Sequence, residues 1–135
     1  MKYHVNSTGP SKDGFTQGLR KALKLSMDNE TKEVALAVHG KQNLSGIIED
    51  ILGVDFVKAM NKHGSVSTQG ITIYLLTERI TSKFSKGIIL ACHPSGKFLS
   101  KLSNDYRATD IIYVPWAQEE YDKYLENYDS VEIAL

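Results

Sequence analysis

Three nearly continuous apolar runs place the strongest constraint on how this chain folds. They are "EVALAVHG" at residues 33–40, "GIILACH" at 87–93 and "DIIYVPW" at 110–116, each bounded by glycine or proline. Short runs of this kind are typical of strands that are buried on both faces, as in a parallel sheet covered by helices. A short run at residues 2–5 and a partly alternating run at 70–80 add two further predicted strands.

Segments with helical periodicity lie between these runs. The first has apolar residues at helical spacing and two candidate N-caps, Ser11 and Asp13. The second begins near Asn43 and is predicted to continue to Gly64, a natural C-cap. A short helix is expected after the strand at 87–93, and a last helix places Tyr121, Tyr124 and Tyr128 on one face.

The order of strands and helices predicts an α/β fold. We expect residues 1–135 to form a single α/β domain. Its predicted architecture is a three-layer sandwich, Rossmann-like or flavodoxin-like, with an open, mostly parallel sheet of five to six strands and helices on both faces. The tail "SVEIAL" is a candidate edge strand, and the pattern shows no hairpin signal.

The composition narrows the classes of function. Sixteen basic residues balance sixteen acidic ones, which argues against a dedicated nucleic-acid binder. The single cysteine excludes an internal disulfide and suits a reducing compartment. The first residues lack the apolar stretch of a secretory signal, and no run approaches the length of a membrane span. We therefore expect a cytoplasmic protein with neither nucleic acid nor membrane as a partner.

A ligand site is expected where the strands end. In open parallel sheets, ligands bind beyond the carboxyl ends of the strands. Two of the loops that leave predicted strands carry a histidine followed by a Gly-Lys pair, namely His39 with Lys41 and His93 with Lys97. If the two strands are parallel, both histidines and both lysines lie at the same edge of the sheet.

An anionic ligand fits the composition of these loops. The loop after the first strand offers hydroxyl, amide and ammonium donors at a predicted helix N-terminus, where backbone N–H groups attract anions. The predicted ligand-binding residues are Asn6, Ser7, Thr8, Ser11, Lys12, Lys41, Ser95, Gly96, Lys97 and Trp116. The alternatives are that this loop only caps its helix and that Trp116 packs over the sheet instead of stacking on a ligand.

Cys92 is the candidate nucleophile, with His93 or His39 as its base. A thiol between a strand and a helix N-terminus is where a helix dipole and nearby cations lower its pKa. The layout resembles the active-site loops of tyrosine phosphatases and rhodaneses. However, the arginine that those loops require is absent between Arg79 and Arg107. The alternative is a cysteine that simply ends a buried strand.

No phosphate-binding GxxxxGK[ST] or dinucleotide GxGxxG motif is present, and no metal site is expected.

Two functions follow from these patterns. The first is a small-molecule binding protein for an anionic or nucleotide-like ligand, with an enzymatic version that uses Cys92. The second is a non-catalytic interaction module of the same fold, forming a homodimer through an exposed part of the tyrosine face at Tyr121, Tyr124 and Tyr128. The cofactor, if any, is not predicted.

Overall fold

The structure is a computed structural model that describes residues 1–79 and 82–133. Its strands are β1 (Lys2–His4), β2 (Glu33–Ala37), β3 (Ser65–Thr68), β4 (Ile71–Leu76), β5 (Gly87–Cys92), β6 (Ala108–Val114) and β7 (Val131–Glu132). Its α-helices are α1 (Lys12–Asp28), α2 (Ile47–Leu52), α3 (Val54–His63), α4 (Gly96–Ser103) and α5 (Gln118–Asn127). A single 3₁₀ turn, Lys41–Leu44, precedes α2 within the described residues.

Within the described residues, seven strands form one sheet in the order β3-β4-β2-β5-β6-β1-β7. Every neighbouring pair is parallel except β3 and β4, which are antiparallel. The fold is therefore α/β with a mostly parallel sheet, as predicted. The predicted count of five to six strands is too low, because it lacks β3.

The two faces of the sheet carry alternate residues of each central strand. Val34 and Leu36 of β2, with Leu90 of β5, belong to the core cluster that contains the buried side chains of α1, α2 and α3. Ala35 of β2 and Ala91 of β5 belong to the opposite cluster, which contains the buried side chains of α4. Both faces are covered, so the buried residues of the two strands, 34–37 in β2 and 87–92 in β5, are apolar at every position.

Strand β3 was missed because its sequence, Ser-Val-Ser-Thr, is short and polar. It pairs with β4 through a two-residue turn at Gln69 and Gly70, which have φ angles of 51° and 82°. Positive φ at both central residues is typical of the tight hairpin turns that match the twist of antiparallel strands. The expectation of no hairpin is therefore wrong at this edge of the sheet.

The predicted helix ends are mostly confirmed. The Ser11 hydroxyl accepts a hydrogen bond from the Gly14 backbone N–H at 3.0 Å and caps α1. Gly64 ends α3 in the left-handed conformation, with φ of 75°. The predicted continuous helix from Asn43 to Gly64 is instead divided, because Gly46 and Gly53 both have positive φ and interrupt the helical path.

The predicted strands otherwise lie where the apolar runs are. The last predicted strand appears as β7, which pairs in parallel with β1. Ile80, at the end of the predicted strand 70–80, and the last two residues of the tail lie outside the described residues. None of the helices described in residues 1–79 and 82–133 is both long and apolar enough to cross a membrane.

The tyrosine face of α5 points inward. Tyr121 and Tyr124 are buried against Tyr113 of β6, and Tyr128 is half-buried beside them. Tyr124 and Tyr113 have ring centroids 4.6 Å apart. Little of this face is left exposed, so the surface on which the homodimer prediction depends is largely absent.

Gly18 permits close contact between α1 and the sheet. A Cβ atom at this position would lie 2.8 Å from Val114 Cγ2 and 3.1 Å from Leu90 Cδ1. We expect Gly18→Ala to strain this contact by about 1–3 kcal/mol, which exceeds its gain of up to about 1 kcal/mol in helix propensity. Equilibrium denaturation measures the change. Gly96→Ala is the matched control, since a Cβ there meets nothing within 4 Å; equal stability of the two variants would contradict the packing argument.

His4 joins β1 to the C-terminal segment in a buried contact. Its Nδ1 lies 2.8 Å from the Ser130 hydroxyl oxygen, which also accepts a hydrogen bond from the Tyr124 hydroxyl at 3.0 Å. The other ring nitrogen, Nε2, lies 4.0 Å from a Glu132 carboxylate oxygen. Burial lowers the pKa of His4 below its usual 6.5, and Glu132 opposes this only in part.

A lowered pKa in the folded state makes stability depend on pH. The contribution of His4 is complete above the unfolded-state pKa of about 6.5 and is lost as the pH falls below it, because the unfolded chain then binds the extra proton. We expect the free energy of unfolding to fall between pH 7 and pH 5 less steeply in His4→Gln than in the unmodified protein. Denaturation curves at both pH values test this, and parallel losses in the two proteins would assign the effect to other groups.

Candidate functional site

A cleft of about 240 Å³ lies beyond the carboxyl ends of the strands. We call it the strand-end cleft. It is lined by residues that follow four different parallel strands: Pro10 after β1, Val38, Gln42, Asn43, Ser45, Ile47 and Ile48 after β2, Cys92 and His93 at the end of β5, and Trp116 after β6. Of these ten described residues, none is a lysine, arginine, aspartate or glutamate.

The position of the cleft follows from the topology. Strands β2 and β5 are neighbours, yet the chain leaves them in opposite directions. After β2 it passes through α2, α3 and the edge strand β3 to β4. After β5 it passes through α4, on the other face of the sheet, to β6. Diverging connections of this kind open a crevice between adjacent strand ends, which is where open α/β sheets bind ligands.

Backbone hydrogen bonds hold the loops around the cleft in place. The Gly9 N–H donates to the Trp116 carbonyl at 2.8 Å, which joins the loop after β1 to the loop after β6. The His93 N–H donates to the Val114 carbonyl at 3.0 Å. On the opposite side, the Gly40 N–H donates to the Asn43 side-chain oxygen at 3.0 Å. The walls of the cleft are therefore preformed.

His93 has an unusual environment. Its φ of 51° lies in the left-handed region, which a residue with a side chain seldom adopts. Its ring centroid lies 4.8 Å from that of Trp116, with the planes inclined at 56°. Its Nε2 atom is buried and has no hydrogen-bond partner among the described residues. Burial lowers the pKa of His93 from its usual 6.5, so the ring is neutral at neutral pH.

Cys92 is part of the core. Its side chain is 5% exposed and belongs to the cluster that includes the buried residues of α1. Burial raises the pKa of Cys92 to about 12, the opposite direction from the one that a helix dipole would give. At neutral pH it is a protonated thiol in the floor of the cleft. This supports the alternative of a strand-ending core cysteine.

The structure separates most of the first-loop candidates from the cleft. Asn6, Ser7 and Ser11 line a different hollow, together with the carboxylates of Asp13 and Glu132. The Ser7 hydroxyl is buried without a partner among the described residues. Thr8 is exposed and belongs to neither concavity. Two carboxylates make this hollow unfavourable for an anion.

The lysines also lie outside the cleft. Lys12 pairs with Asp50, its Nζ 3.6 Å from a carboxylate oxygen. Lys41 Nζ lies 3.4 Å from the Asn61 carbonyl oxygen, in a hollow beside α3. Lys97 is exposed in the first turn of α4. The ammonium groups that favoured an anionic ligand therefore do not converge.

Other candidates have local structural roles or none. The Ser95 hydroxyl accepts a hydrogen bond from the Phe98 N–H at 3.2 Å and caps α4, and Gly96 is the first residue of that helix. His39 is exposed and is not among the residues that line the cleft. Because β2 and β5 are parallel, His39 and His93 do leave the sheet at the same edge, as expected. Only His93 faces the cleft.

Sequence reasoning missed seven of the ten lining residues, including Val38, which ends an apolar run, and Asn43, which was predicted only as a helix cap. Gln42 and Pro10 lie in loops that were expected to form the site, but neither was singled out. No sequence pattern marked Ser45 as a site residue. Ile47 and Ile48 fit the apolar face of a helix, so their spacing predicted burial and not ligand binding. Within residues 1–79 and 82–133, no three His, Cys, Asp or Glu side chains are grouped so that they would hold a metal ion.

Comparison with protein-family models, with curated proteins and with solved structures gives no match to this chain. The assignment of a function therefore depends on the geometry of the site alone.

Cys92 offers a direct test of the buried-thiol interpretation. We expect iodoacetamide to leave the folded protein unmodified at pH 7–8 and to react fully once denaturant unfolds it, because the reactive thiolate is suppressed by burial. Intact-mass measurement counts the adduct, and the unfolded protein serves as the control for reagent activity. Rapid alkylation of the folded protein, with a midpoint below about pH 7, would instead restore Cys92 as a candidate nucleophile.

Proposed function

We propose that this protein binds a small molecule in the strand-end cleft and that Cys92 contributes to the floor of the cleft and not to covalent chemistry. The observation that carries the proposal is the location of the cleft between the diverging ends of β2 and β5. Loops from four parallel strands contribute to it, as in the ligand sites of open α/β sheets.

We infer that the architecture is the Rossmann-like or flavodoxin-like three-layer type. Two observations support this. Helix α1 contacts β5 and β6 on one face, and α4 contacts the same two strands. Their buried side chains fall into separate core clusters. The switch in chain direction between adjacent parallel strands is also a feature of that type.

His93 supports a binding role because it is costly to the fold. A left-handed backbone at a residue with a side chain costs about 1–3 kcal/mol. A buried nitrogen without a partner adds a desolvation cost. The imidazole packs on Trp116, but glycine or asparagine would adopt this backbone more easily. Strained backbone and unpaired buried polar groups lower the stability of a fold, and they are concentrated at functional sites, where binding or catalysis requires them.

The proposal predicts where ligands bind. We expect a chemically broad fragment set, containing anions, cations, sugars and neutral aromatic compounds, to yield binders whose amide chemical-shift changes centre on Val38, Asn43 and His93. Two-dimensional NMR of the labelled protein maps them. Changes confined to the hollow at Asn6 and Ser11, or an absence of binders from the cleft, would overturn the proposal.

A pair of histidine variants controls this experiment. His93→Asn keeps a residue that tolerates the left-handed backbone but removes the ring that lines the cleft. We expect it to weaken the binding of cleft fragments at least tenfold while the protein stays folded. His39→Asn makes the same chemical change at an exposed histidine outside the cleft and should leave binding unchanged.

A further inference from the structure

We propose that the strand-end cleft selects a neutral, planar heterocyclic compound, stacked against Trp116 and hydrogen-bonded by Asn43. This inference rests on the proposed function and adds the chemical class of the ligand. It is carried by three features of the cleft: its charge, its polar groups and its aromatic wall.

The cleft carries no formal charge. None of the described residues that line it is acidic or basic, apart from His93, and the surroundings of His93 keep its ring neutral. Protonation of that ring would put a positive charge beside the buried Nε2, which has no acceptor among the described residues. An anion or a cation would therefore lose part of its hydration without gaining an opposite charge, which disfavours its binding.

The polar groups of the cleft have a definite pattern. The Asn43 side-chain oxygen accepts the Gly40 N–H, so its amide nitrogen is left as a donor. The Ser45 hydroxyl donates to the Gln42 carbonyl at 2.7 Å, which leaves its oxygen as an acceptor. Uncharged donors and acceptors on one wall match the edge of a heterocycle that carries ring nitrogens and carbonyl or amide groups.

The other walls favour a flat apolar surface. Trp116, the only tryptophan of the chain, is 49% exposed although its ring packs on His93. Val38, Ile48 and Cys92 supply an apolar floor. A monosaccharide would leave hydroxyl groups against this floor without partners, whereas a ring system buries both faces.

The size of the cleft limits the ligand. Its volume of about 240 Å³ is below the range of about 300–1,000 Å³ that is typical of sites for drug-sized ligands. One or two fused rings with a small substituent fill such a space. A whole dinucleotide does not.

The experiment uses Trp116 as its reporter, because the fluorescence of a sole tryptophan reports on this cleft alone. The probes are two matched pairs, nicotinamide with nicotinate and adenosine with adenosine monophosphate, together with glucose. We expect the neutral member of at least one pair to change the fluorescence saturably, with a dissociation constant at least tenfold below that of its anionic partner. Tighter binding of the anions, binding of glucose alone, or binding of none of the neutral probes would overturn the inference.

Variants test the two contacts separately, with ligand-observed NMR as the readout. Asn43→Asp keeps the oxygen that accepts the Gly40 N–H but removes the donor, and we expect at least tenfold weaker binding. Trp116→Leu should weaken binding to a similar extent. Tyr106→Leu is the control, since Tyr106 is an aromatic residue that is 92% exposed and is not part of the cleft. Unchanged binding in both cleft variants would contradict the inference.

The fragment mapping separates this inference from the proposed function. If anions or sugars bind in the strand-end cleft and neutral heterocycles do not, the protein still binds small molecules there and only the ligand class is wrong. If no fragment of any class binds in the cleft, both proposals fail.

Discussion

The parallel pairing of β2 with β5 is the interaction on which both the core and the strand-end cleft depend. Its register places Leu36 opposite Leu90 and Ala37 opposite Ala91. A shift by one residue would exchange the two faces, because side chains alternate along a strand. If β2 shifted, Leu36 would meet α4, and Ala37 would leave space beneath α1. The same register aligns the ends of the two strands, so that Val38 and Cys92 reach the same cleft.

The sizes of the side chains on the two faces of the sheet determine how closely the helices pack against it. On the α4 face, the small side chains Ala35, Ala37 and Ala91 share a cluster with the rings of Phe84 and Phe98. On the α1 face, the strands present larger residues, and the helix compensates with Gly18, which lies almost against Val114 and Leu90. A helix glycine thus permits close packing on the α1 face, whereas on the α4 face the alanines lie beside larger strand residues, Ile89 and Ile111.

The sequence predicted strand positions best where burial of both strand faces was the single requirement on the residues. Strands β2, β5 and β6 are apolar over residues 34–37, 87–92 and 111–114, where both of their faces are buried, so their positions could be predicted. Strand β3 lies at the edge, where Ser67 and Thr68 are exposed, and its pairing is set by the Gln69–Gly70 turn instead of by burial. The order of the strands could not be predicted, since it depends on contacts between segments far apart in the chain.

The candidate site could likewise be predicted only in part. Its loops could be predicted from the rule that parallel strands end at one edge, but the side chains that converge there could not. Lys41 and Asn43 belong to the same 3₁₀ turn, yet Lys41 points towards Asn61 and Asn43 towards the cleft. At the end of β5, Cys92 continues the alternation into the core, and the left-handed backbone of His93 then turns the imidazole against Trp116. A buried thiol beside a neutral imidazole makes an uncharged wall. That wall resists ionisation of either group, which is a property suited to holding an uncharged ligand and opposed to generating a thiolate nucleophile.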